Sequence, residues 1–111
     1  MQKIIDVLES ERYTLNKIMG RLSTTESLAQ TAEECAELAQ AALKLRRCID
    51  GTNPTPKSIA EASDAFNEEL ADVLLAAYVA GYDEGKVARI MRRKMTRWIE
   101  RLEKGRCGNE R

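Results

Sequence analysis

Two short acidic motifs stand out by their spacing. Glu34 and Glu37 are three residues apart, and so are Glu69 and Asp72. On a helix, residues three or four apart share a face, so each pair presents two carboxyl groups together. Glu33, four residues before Glu37, is spaced to join the first pair. Antiparallel packing of the two segments would bring four carboxyl groups to one spot. Oxygen donors without histidine or cysteine suit a hard divalent cation, Mg²⁺ with Mn²⁺ as its substitute. A di-iron centre also draws acids from facing helices, but it takes a Glu-x-x-His from each of two of them. The chain has no histidine. That absence argues against a di-iron centre and removes His-based acid–base chemistry.

The surroundings of the second pair sharpen this reading. From Leu70 to Ala80 the chain is apolar nearly all round, which predicts a buried helix at the centre of a bundle. Ala62, Ala65, Val73, Ala76 and Ala80 form one stripe, with Glu69 in its middle and Asp72 at its edge. An uncompensated buried carboxylate costs several kcal/mol. A metal, a Lys or Arg partner, or protonation must therefore offset it. In the first pair, Glu34 lies beside the apolar Leu38 and Leu45, while Glu37 points further toward solvent. Ala41 continues that face one turn on and leaves room beside it. Each motif also has a plain reading. Glu-x-x-Glu is common on exposed helices, and Glu-x-x-Asp on an apolar stripe could be an acid paired with arginine. The two motifs together on neighbouring helices point to a metal.

Four helices account for nearly all of the chain. The first is expected over Gln2–Arg21, with Ile4, Leu8, Leu15, Ile18 and Leu22 on one stripe. The second starts at a cap among Ser23 to Thr25 and runs to about Cys48. Asp50-Gly51-Thr52-Asn53-Pro54 is a break. A third helix resumes at Thr55–Pro56, with Ser58 and Glu61 spaced as a competing capping box, and ends before Gly81. Asp83 caps the fourth, expected over Glu84–Lys104, and residues 105–111 form a short polar tail.

Length and composition are consistent with one all-α domain of 111 residues. Ala, Leu, Glu, Lys and Arg favour helix. Eighteen basic residues balance eighteen acidic ones, but unevenly. Glu26–Glu84 carries 12 acids against 4 bases, a net of −8, and Lys86–Arg106 carries 9 bases against 2 acids, a net of +7. This polarity fits a metal on one side and polyphosphate on the other, or simple attraction between helices. Three cysteines (Cys35, Cys48 and Cys107) without a Cys-x-x-Cys spacing, and no apolar leader or membrane span, lead to the expectation of a reduced, cytoplasmic protein.

On the fourth helix Val87, Met91, Trp98 and Leu102 form an apolar stripe. Lys94 sits within it, and Arg97 and Arg101 flank it. Two readings stay open: a lysine snorkelling to solvent, or a cationic group for substrate phosphate, with arginine acting as a fork. Zero net charge and the lack of a DNA- or RNA-binding motif argue against a nucleic-acid partner.

Glu33-Glu34-Cys35-Ala36-Glu37-Leu38, Glu68-Glu69-Leu70-Ala71-Asp72-Val73 and Lys94 in a basic helix together resemble the MazG-like family. That family belongs to the all-α NTP pyrophosphohydrolases. The resemblance covers about Ser27 to Arg101. It implies a four-helix bundle assembling as a dimer or a dimer of dimers. It also implies Mg²⁺-dependent hydrolysis of a nucleoside triphosphate to the monophosphate and pyrophosphate. Glu34, Glu37, Glu69 and Asp72 would then hold the metal, and Lys94, with Arg97 or Arg101, would contact phosphate. Glu34, or else Glu37, would activate the water. Two departures are an apparent insertion over Asp50–Ser58, and Trp98 where many members carry a polar residue. Phosphoribosyl-ATP pyrophosphohydrolases share the pattern, so such a substrate stays open. Outside that resemblance, a non-catalytic helical interaction module and a nucleotide sensor remain as alternatives.

Overall fold

The computed structural model describes residues 2–52 and 57–108, and all regular structure in it is helical. Five helices follow in order: α1 (Ile4–Ser10), α2 (Arg12–Met19), α3 (Thr24–Asp50), α4 (Ile59–Ala80) and α5 (Glu84–Gly108). None of the described helices is long and apolar enough to cross a membrane. The chain divides between Gly81 and Tyr82 into two compact units.

The first unit is built on a helical hairpin. The Ser23 hydroxyl accepts from the Glu26 N–H at 3.1 Å, and the Glu26 carboxylate accepts from the Ser23 N–H at 2.9 Å. This reciprocal pair satisfies two amides that the first turn of α3 would leave without partners. The helix ends at Gly51, whose φ of 66° is left-handed and is disfavoured for a side chain with a Cβ. Asp50 Oδ1 then accepts from both the N–H and the hydroxyl of Thr52, turning the chain. Ser58 and Glu61 form a second reciprocal cap, so α4 begins at Ile59. The other expected start, Thr55–Pro56, lies outside the described residues.

Helices α3 and α4 pack along one another in opposite directions. Cys48, near the end of α3, donates its thiol to the Lys57 carbonyl just before α4, while Glu34 and Asp72 line one cavity further along. Ala41 and Ala62 are both buried, and their small side chains let the two backbones approach. The Leu70–Ala80 run is only partly covered: Leu74 and Leu75 are exposed. Only α2 and α3 pack on α4 within this unit, too few to enclose a helix that is apolar all round.

The expected first helix is two helices. At Glu11 the backbone (φ −102°, ψ 21°) leaves the helical region. The Ser10 hydroxyl donates to the Val7 carbonyl, which also accepts the Glu11 N–H. Such local competition for a carbonyl weakens a helix. Beyond the break, α2 buries Leu15 and lies against α4.

Gly81, at φ 90° and ψ 145°, ends α4 in a conformation open essentially to glycine alone. The second unit is α5. Asp83 Oδ1 accepts from the Lys86 N–H at 2.9 Å, as a capping aspartate should. The helix continues past Lys104 to Gly108, since Gly105 lowers helix propensity without supplying a stop.

Candidate metal centre

The hairpin brings the two acidic motifs together. Glu34 and Glu37 project from α3, Glu69 and Asp72 from α4, and one carboxylate oxygen from each lies within 4.8 Å of the others. The three-residue spacing puts each pair on one face, and the register of the antiparallel helices, packed through Ala41 and Ala62, brings the two pairs level. Glu33 remains exposed and outside the group.

Four carboxylates at such distances repel one another, and the site shows it. Partial burial, with Glu37 and Asp72 nearby, raises the proton affinity of Glu34 above the ordinary carboxylate range. A hydrogen bond from Gln30 Nε2 to Glu34 Oε1, 2.7 Å long, opposes that rise and fixes the carboxylate. For Glu37 the main cause of a similar rise is the charge of Glu69, whose carboxyl group is close enough to share a proton with it. Most telling are Glu34 Oε2 and Glu69 Oε2. Both atoms are shut off from solvent and neither accepts a hydrogen bond. Buried acceptors without partners are rare, because the desolvation penalty goes unoffset.

The donor set fits a hard divalent cation.

A cavity lies on each side of the quartet. The first, about 210 Å³, is mainly apolar. Leu15, Ile18 and Leu22 from the N-terminal segment face Leu75 and Val79 of α4 across it, with Glu34 and Asp72 at its edge. The second, about 330 Å³, is polar: Glu37 and Glu69 share it with Gln40, Lys44 and Lys57 over a floor of alanines.

Sequence reasoning missed Gln30, Lys44 and Lys57. Gln30 is four residues before Glu34 and Lys44 seven after Glu37, both helical spacings, so a signal was present for these two. Lys57 precedes α4 and lines the cavity from outside any helix, where no periodicity marks it.

On α5, Lys94, Arg97 and Arg101 line a shallow groove of about 370 Å³ together with Met91, Met95 and Trp98. All six side chains are exposed. Lys94 thus lies among apolar side chains of its own helix, as its place in the stripe implies. The chain matches no known protein-family profile, no curated protein and no solved structure.

Proposed function

We propose that this chain is a divalent-metal-dependent nucleotide pyrophosphohydrolase, cleaving a nucleoside triphosphate to the monophosphate and pyrophosphate. The observation that carries the reading is the carboxylate quartet with two buried oxygens that accept no hydrogen bond. A cation is the partner such oxygens lack. Glu34, Glu37, Glu69 and Asp72 would hold Mg²⁺, or Mn²⁺ in its place. When bound, the ion supplies charge neutralisation at the phosphate oxygens as the leaving group departs.

The residues of the chain do the rest. Glu34, positioned by Gln30, would orient the attacking water and accept its proton. The water oxygen bonds to the α-phosphorus, and the bond to the bridging oxygen of pyrophosphate breaks. Glu37, the more exposed carboxylate of the α3 pair, is the alternative base. The apolar cavity beside Glu34 and Asp72 accommodates the less polar end of the nucleotide. Lys94, with Arg97 and Arg101, supplies cationic contacts to phosphate.

The reading extends to assembly as a four-helix MazG-like bundle, a dimer or a dimer of dimers, in the cytoplasm. Supporting assembly, Leu28, Leu43 and Ile49 of α3 and Met91, Met95, Trp98 and Leu102 of α5 are all exposed. Assembly would cover these side chains. The test is pyrophosphate release across ribo- and deoxynucleoside triphosphates and phosphoribosyl-ATP, with Mg²⁺ and with chelator. Metal-dependent release with a monophosphate product is expected. Orthophosphate release would assign a different bond, and no release from any member would favour a binding or interaction module.

A further inference from the structure

The polar cavity beside Glu37 and Glu69 combines features that the acidic quartet alone does not explain. Its floor is made of Ala41, Ala62 and Ala65, and larger side chains there would fill it. One wall carries Glu37 and Glu69. The remaining polar lining is Gln40 and Lys44 from α3 and Lys57 from the start of the α4 segment. Lys44 lies seven residues, about two turns, beyond Glu37 on the same face of α3, roughly 10 Å along the axis. Lys57 lines the same space from the segment just before α4. Two lysines from different parts of the hairpin therefore line a cavity that opens from the proposed metal centre.

We infer that Lys44 and Lys57 form an anion subsite for the phosphate group furthest from the attacked phosphorus, in a di- or triphosphate chelated at the quartet. The inference rests on the metal-centre reading and goes further by giving the polyphosphate a direction. One end ligates the cation between Glu37 and Glu69, and the chain extends along the alanine floor toward the lysines. Lysine suits this task as a compact charge on a flexible stem that follows a phosphate without needing a fixed fork. Gln40, one turn after Glu37, offers an amide donor on the way. On this arrangement the apolar cavity on the other side of the quartet is left for the nucleoside.

The experiment measures two affinities separately on the full chain. Mn²⁺ binding is followed by electron paramagnetic resonance, and binding of inorganic tripolyphosphate in saturating Mn²⁺ by calorimetry. Lys44→Ala and Lys57→Ala are compared with Arg46→Ala, which removes the same charge from another face of α3. The expected result is unchanged Mn²⁺ affinity in all three, with tripolyphosphate about tenfold weaker in each lysine variant and unaltered in Arg46→Ala. Wild-type Mn²⁺ affinity with undiminished tripolyphosphate binding in both lysine variants would overturn the subsite and leave the metal centre standing. An equal loss in Arg46→Ala would also overturn it, as a general charge effect. Absence of Mn²⁺ binding by the wild type would overturn the metal centre, and the subsite with it.

Discussion

Replacing Glu69 by Gln tests the metal centre with the fewest side effects. The substitution keeps shape and volume in the partly covered stripe of α4 while removing one charge from the quartet. Magnesium at ten times its dissociation constant stabilises a folded protein by RT ln 11, about 1.4 kcal/mol. For a unit the size of Met1–Gly81 that corresponds to a rise in melting temperature of about 6–11 °C. Losing even a residue that only braces a metal ligand weakens binding about 10- to 100-fold. A tenfold loss at the same Mg²⁺ concentration leaves RT ln 2, about 0.4 kcal/mol, or no more than about 3 °C. Without metal the variant should be at least as stable as the wild type. The buried oxygen with no hydrogen-bond donor then belongs to a neutral amide, not to a carboxylate beside Glu37. Melting curves in EDTA and in Mg²⁺ measure both effects, and pyrophosphate release should disappear with the Mg²⁺ response. A Glu69→Gln protein that keeps the full magnesium shift, or turns over substrate, would refute the reasoning.

Other expectations follow from the same geometry. Leu15 is 4% exposed and anchors α2 to the hairpin, so Leu15→Ala should cost about 2–4 kcal/mol in chemical denaturation. Ser58→Ala removes the acceptor for the Glu61 N–H and should cost about 1 kcal/mol by the same assay. The Glu61 carboxyl is held below its ordinary range by its Ser58 hydrogen bonds. Its contribution is therefore present above the ordinary value of 4.5 and lost as pH falls through the lowered one, so the penalty for Glu61→Gln should shrink in acid, whereas Ser58→Ala keeps the backbone N–H that supplies the first of these bonds. Glu34 and Glu37 have the opposite sign. Their contribution in metal-free protein is complete below the ordinary value and lost as pH rises through the raised one. Mg²⁺ competes for the deprotonated forms, so the magnesium-induced rise in melting temperature should grow as pH rises through the raised values. A rise independent of pH would mean the metal binds elsewhere.

Much of the hairpin could be read in advance because its determinants are local. The capping boxes at Ser23–Glu26 and Ser58–Glu61, the Asp83 cap and the glycines at positions 51 and 81 each act within a few residues. The acid pairs were legible for the same reason: three-residue spacing puts two side chains on one face whatever the helix packs against. The break at Glu11 was harder to foresee, since it turns on where a single serine hydroxyl points.

Residue types and spacing alone determined an all-helical chain, two acid pairs on separate helices, no histidine to compete with hard oxygen donors, and a basic final helix carrying Lys94. Tertiary packing decided which carboxylates meet, leaving Glu33 outside and shutting one oxygen each of Glu34 and Glu69 away from water. It also decided that Lys44 and Lys57 share a cavity with Glu37 and Glu69. The physical reason is one of range. Helical periodicity says which way a side chain leaves its own axis, whereas the register between two antiparallel helices is set by small buried residues such as Ala41 and Ala62, whose partners lie far away in the chain.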